Sequence, residues 1–280
     1  MEVQFNKRDL PKHGIRIITS AEPNFEVIAS NYFKAESSAS NEDLKPFSVF
    51  IENSADRTIV AYVLVWQLVR SDGRVLTNTT SYSEPGILMG NQMPTDPRFK
   101  HTSALEPNEV RCLSWSAPVN PEGIANLGSS QAQQSNQFRG DKEADALAIR
   151  EQLATQLADA TSVTVSIDGA FFDDGTFVGP NVTGYFERIE AIVRAKVDLL
   201  DDVARAKEQG RADEMLESIA EKSSAPDVSI TPTSPPEDYY KQYAKLFAGE
   251  ITNMKAVYGN ESLIDHLLSS HSRARTLVRK

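Results

Sequence analysis

The chain has 280 residues with 29 basic and 39 acidic side chains, a net charge of −10, which argues against a nucleic-acid-coating surface or an anionic-membrane binder, since both need excess basic charge. Hydrophobic residues make up 40% and charged residues 24%, close to globular averages, which argues against wholesale disorder. The single cysteine, Cys112, excludes an internal disulfide and a multi-cysteine zinc site.

The amino end, MEVQFNKRDLPKHG, has no apolar run of the kind a secretory signal needs. The longest apolar stretch, Ile59 to Trp66, falls far short of the roughly 20 residues that span a bilayer. The default expectation is a soluble cytoplasmic protein without membrane contact, or an extracytoplasmic one if a leader has been removed. Asn78, Asn181 and Asn260 each begin an Asn-x-Ser/Thr triplet, which matters only in a glycosylating pathway.

To about residue 120 the chain follows the two-residue period of strands punctuated by turn residues. Gly14 to Ser20 and Phe25 to Phe33 read as two strands, and Phe47, Val49 and Ile51 belong to a third. Thr58 to Arg70 is apolar on both faces, which predicts a central strand covered on both sides. Asp72-Gly73 supplies the positive φ of a tight hairpin, so Val75 to Tyr82 should pair back on that strand. Glu109 to Ala117 alternates again. Six strands at this spacing are similar to an antiparallel sandwich of immunoglobulin or fibronectin type, an architectural analogy.

Two long connections interrupt the pattern. Glu84 to Pro107 carries an apolar Ile87-Leu88-Met89 patch, and Pro118 to Gly140 is rich in Ser, Asn, Gln and Gly, with disorder expected at 131–137. Asp141 to Ala160 has helical spacing through Ile149, Leu153 and Leu157. Sheet logic returns with Val163, Val165 and Ile167, and FFDDGTFVGPN reads as a hairpin around Asp174 and Gly175. Residues 1–180 are therefore expected to form an α+β domain: a β-sandwich of seven or eight antiparallel strands with a helical insertion at 141–160.

From Val182 the period becomes helical, giving an acidic helical segment over 181–222, broken near Gly210. Residues 141–222 hold 18 acidic and 9 basic side chains, whereas Ser262 to Lys280 has a net charge of +3, so docking or dimer contact between these patches is one expectation. Residues 223–236, SSAPDVSITPTSPP, read as a linker. A helical tail, 237–280, follows, with Ser234 as a capping residue and Gly259 as a stop. Its first helix carries the stripe Tyr239, Tyr240, Tyr243, Phe247 and Ile251. About 44 residues bury such a stripe poorly alone, so it must dock on the sandwich, on the acidic helices or on another chain. These five residues are the candidate interaction site.

No catalytic, cofactor or metal residue stands out. Asp173-Asp174-Gly175-Thr176 resembles a phosphotransferase aspartate motif, but Phe172 stands where the nucleophile belongs, so a hairpin turn is the expected role. An EF-hand reading fails because Ala170 and Phe172 offer no side-chain oxygen. His266 and His271, five apart on a helix, have the wrong spacing for a shared metal. Cys112 is expected to be buried packing. The functional expectation is a non-enzymatic interaction or scaffolding module, with a protein partner or self-association, presenting its long loops and its tail. The alternative is a sandwich that binds a small molecule or glycan, or a hydrolase, with a pocket lined by Glu84 to Gly140.

Overall fold

A computed structural model describes residues 3–35, 48–91, 104–114, 159–231 and 233–280. Among them it shows a mixed α+β protein with two sheets and six α-helices. None of these helices is long and apolar enough to cross a membrane. The chain divides into two compact units, Met1–Ser83 with Thr95–Ala170 and Glu84–Pro94 with Phe171–Lys280.

The first unit holds β1 (Gln4–Arg8), β2 (Ile15–Ile18), α1 (Phe25–Ala35), β3 (Ser48–Asn53), β4 (Ile59–Arg70), β5 (Val75–Ser83), β6 (Val110–Ser114) and most of β7 (Ala160–Phe172). β4 lies between β5 and β7, while β2, β3 and β6 form a separate antiparallel sheet. The two-sided apolar pattern of β4 is realised: Ile59 to Leu64, Trp66 and Leu68 are buried. The Asp72-Gly73 hairpin forms as its residues require, with Gly73 at φ +82° and its N–H donating to the Arg70 carbonyl at 2.9 Å.

Two corrections to the sequence reading fall here. Phe25 to Phe33 is helical, because Phe25, Ala29 and Tyr32 form a helix-spaced stripe that packs on Phe50 and Cys112, with ring centroids 5.5 Å (Phe25–Phe50) and 5.8 Å (Tyr32–Phe50) apart. Val27, on the face that alternation assigns inward, is 64% exposed. The pairing is also not all antiparallel: β1 runs parallel to β7 from Gln4↔Ser162 to Arg8↔Ser166. The helix read over 141–160 lies outside the described residues except at its end, where Ala160 begins β7.

Asn53 ties the first unit together. It is fully buried, its Nδ2 donates to the Arg57 and Leu105 carbonyls at 2.8 Å each, and its Oδ1 accepts the Ala55 N–H at 3.1 Å. Tyr62 on β4 and Tyr82 on β5 stack at 4.9 Å, and the Arg111 guanidinium of β6 acts on the Tyr62 phenol, whose hydroxyl makes no well-aligned hydrogen bond among the described residues. Burial pushes the Tyr62 hydroxyl up to about 12, against the opposing pull of Arg111. Tyr82 is pushed up further, again first by burial and then by Tyr62.

The second unit begins with α2 (Pro85–Leu88), resumes at the end of β7 with Phe171 and Phe172, and turns at Asp173–Gly175 into β8 (Thr176–Val178). The turn is as expected: Asp174 Oδ1 accepts the Thr176 N–H at 2.8 Å and Gly175 sits at φ +87°. Four helices follow: α3 (Tyr185–Glu208), α4 (Ala212–Ser223), α5 (Pro236–Tyr258) and α6 (Asn260–His271). The chain ends in β9 (Val278–Arg279), parallel to β8. Phe171, Phe177, Tyr185 and Phe186 form an aromatic core with centroids 4.8 to 6.4 Å apart.

Candidate interaction surface

The stripe-bearing helix α5 starts where its residues say it should. Pro236 occupies the first helical position, Glu237 and Asp238 offset the positive helix end, and Gly259 stops the helix. The cap is Pro235. Ser234 plays a different part, its Oγ accepting the Thr231 N–H at 2.9 Å. The Pro/Ser-rich segment before the helix is tied to it: Val228 N–H donates to Gln242 Oε1 at 2.7 Å and the Tyr239 hydroxyl to the Thr231 carbonyl at 2.7 Å. Lys245 also reaches Asp227 at 2.8 Å and, with Gln242, holds that carboxyl below the usual range.

α5 packs on α3 and α4, so the stripe docks on the acidic helices of its own chain. α3 can receive it because its apolar face is broad, taking in Ile189, Ala191, Ile192, Val193, Ala195 and Leu199, all buried. Its amino end is fixed by Asn181, whose Oδ1 accepts the Phe186 N–H and whose Nδ2 donates to Glu187, both at 2.8 Å. Gly210, at φ +68°, then permits the short turn into α4.

The five stripe residues do not share one environment. Phe247 and Ile251 are buried, Phe247 with the Lys196 ammonium 5.8 Å from its ring. Lys196 also donates to Asn91 Oδ1 at 2.9 Å, and burial lowers its pKa against the opposing charge of Glu250. Tyr243 is half-buried, 5.9 Å from Phe247, and burial followed by Tyr239 raises its pKa. Tyr239 and Tyr240 are half-buried at the start of the helix, where residues of α3 meet them.

At that end a compact group assembles. The Arg194 guanidinium lies 4.8 Å from the Tyr240 ring centroid and 3.5 Å from Glu237, while the Tyr240 hydroxyl donates to Asp198 Oδ2 at 2.9 Å. Burial and then the bond to Asp198 raise the Tyr240 pKa, so the phenol stays protonated. The Arg188 guanidinium, largely buried, sits 6.0 Å from the Tyr239 ring and 5.5 Å from Tyr185. Arg194 is half exposed. Every ring and cation in the group is oriented by a bond or a ring contact within the chain.

The sequence reading found Tyr239 and Tyr240 but missed Arg188, Arg194 and Asp198. They lie about 40 to 50 positions upstream on a different helix, and no local signal links them. At the far end of the helix Val257 is 79% exposed and Tyr258 50% exposed, with His266 stacked on Tyr258 at 5.6 Å. His271 is committed elsewhere, 2.9 Å from Asp201, so the two histidines converge on nothing. Among the described residues no group of three or more His, Cys, Asp or Glu side chains is placed to hold a metal ion. Most of the loop positions read as a possible pocket lining, 92–103 and 115–140, lie outside the described residues.

Comparison with protein-family models found no matching family, and comparisons with curated proteins and with solved structures found no match either.

Proposed function

We propose that the chain is a non-enzymatic interaction module that recognises a protein partner through the Tyr239–Tyr240–Arg194 face of its second unit. The supporting observation is the preorganised aromatic–guanidinium group: Tyr and Arg dominate the energetic centres of protein interfaces, and side chains already held in place lose little entropy on binding. Tyr240 and Arg194 are the anchors, Asp198 and Glu237 set their orientation, and Tyr243, Phe247 and Ile251 hold the helix that carries them. The first unit is read as a sandwich-like platform of its two sheets, a reading supported by the action of Arg111 on β6 upon Tyr62 on β4.

The test is quantitative affinity capture with the full chain against Arg194→Ser/Tyr240→Ser at matched abundance, well below the melting temperature of either, with circular dichroism confirming that both are folded there. The expected result is at least one partner whose capture falls more than about 30-fold, the equivalent of a single hot-spot truncation of about 2 kcal/mol. An unchanged set of captured proteins refutes this face as the binding surface.

A further inference from the structure

Lys196 stands on α3 where the second unit brings together α3, α5 and the turn that follows α2. Its neighbours one turn away on the helix, Ile192, Val193, Leu199 and Leu200, are apolar and buried, so the stem of the side chain rises among hydrocarbon. The groups at its tip are neutral. The Nζ donates to Asn91 Oδ1 at 2.9 Å and lies 5.8 Å from the centroid of the Phe247 ring. Asn91 is itself fixed, its N–H donating to the Gly86 carbonyl at 2.8 Å.

Among the described residues no carboxylate pairs with this amine, and the charge that acts on it is Glu250 of α5, at longer range. Lys207, Lys222 and Lys245, by contrast, each reach an aspartate, at 2.7, 3.6 and 2.8 Å. A half-buried ammonium whose partners are an amide oxygen and a ring gives up its proton more readily than one held by a carboxylate. Burial accordingly lowers the Lys196 pKa, with Glu250 opposing it. The bond to Asn91 is open to solvent, so the nitrogen stays within reach of a small reagent.

We propose that Lys196 is an acylation site of this protein, its amine taking the acyl group of an activated donor, an acyl phosphate or an acyl thioester. The lone pair of the neutral amine attacks the carbonyl carbon, and the C–O bond to phosphate or the C–S bond to sulfur breaks. Phosphate or thiolate leaves with the bonding pair, and the proton that the nitrogen gives up goes to solvent. The product amide keeps an N–H for Asn91 and no longer carries a charge that burial penalises. This site is independent of the Tyr240 face, and either can fail without the other.

The full chain is treated at low conversion with acetyl phosphate and, separately, with acetyl-coenzyme A, and acetylation is mapped by peptide mass spectrometry. Lys207 and Lys245 serve as internal references. At pH 7 the initial rate at Lys196 should exceed theirs with at least one donor, which then names the source. The ratio should fall toward one by about pH 11, where ordinary lysines are largely free amines. Glu250→Gln, at an exposed position, removes the opposing charge and should raise the Lys196 rate while leaving that of Lys207 unchanged. A Lys196 rate at or below the references at pH 7 with both donors overturns the proposal, as does a ratio indifferent to pH or to Glu250→Gln.

Discussion

Replacing Phe247 and Tyr240 in turn should separate the two halves of the aromatic stripe. Phe247 is 7% exposed in the interface of α5 with α3 and α4, so Phe247→Ala opens a cavity that rigid helices fill only in part. A buried Phe→Ala change costs about 3–5 kcal/mol. Tyr240 is half-buried, and its hydroxyl bonds to an aspartate at the surface, so Tyr240→Ala should cost about 1 kcal/mol, the net worth of one hydrogen bond with modest packing. Urea unfolding followed by helix ellipticity gives both numbers, with a shift of midpoint at constant slope as the sign of a pure stability change. If Phe247→Ala costs less than about 1 kcal/mol, or Tyr240→Ala costs as much as Phe247→Ala, the stripe is not docked as described and the Tyr240 face is not a free surface.

A methyl added at Gly90 would lie 2.1 Å from the Ser270 carbonyl oxygen, and one at Gly175 would lie 2.5 Å from that of Thr276, both at positive φ. Gly90→Ala and Gly175→Ala should each destabilise by about 3 kcal/mol or more in thermal melts, whereas Gly210→Ala, in open space at φ +68°, should show only the backbone penalty of about 1–2 kcal/mol. Burial holds Tyr62 protonated up to about 12 in the folded state, above its ordinary 10.0. Its contribution, about 2 to 3 kcal/mol, is full below pH 10 and is lost as pH rises through 12. Alkaline titration by phenolate absorbance should therefore show Tyr62→Phe removing part of the stability loss in that window, and an unchanged alkaline transition would contradict it. Removing residues 272–280 should cost far more stability than Arg279→Gln, which is expected to cost under about 1 kcal/mol. The segment is held by backbone bonds of 2.8–3.1 Å from Arg275, Val278 and Lys280, while the Arg279–Glu187 pair is exposed at 3.8 Å.

The elements legible in the sequence were those whose signal is local. β4 announces itself by a two-sided apolar run, the hairpin by Asp-Gly, and α5 by prolines at one end and Gly259 at the other. Two strands were not legible. β1 is a polar pentapeptide whose register comes from β7, more than 150 positions away, and β9 is a two-residue strand aligned by β8. α1 was misread because Phe25, Val27, Ala29 and Phe33 alternate as well as they spiral, and Phe50 and Cys112 decide between the two periods by offering a surface to Phe25, Ala29 and Tyr32. The aromatic stripe was legible as a stripe, but its division into a buried part and a surface part depends on α3, which supplies both the floor beneath Phe247 and the cations beside Tyr240.

The charge asymmetry has the same local character. Several acidic residues of the second unit have a basic neighbour at close range. Asp201 meets His271, Asp265 meets Lys207, and Asp202 is shared by Arg205 and Lys222, at 2.7 to 3.6 Å. Arg273 and Arg279 spend donors on the Gly90 and Pro180 carbonyls. Pairs this close act as small dipoles at distances beyond the roughly 8 Å screening length of physiological salt, so they steer little. Each exposed pair adds at most about 1 kcal/mol to stability. In the proposed function, recognition on this unit falls to groups whose effect does not depend on long-range charge: tyrosine rings beside guanidinium groups, fixed on a helix that its own core holds in place.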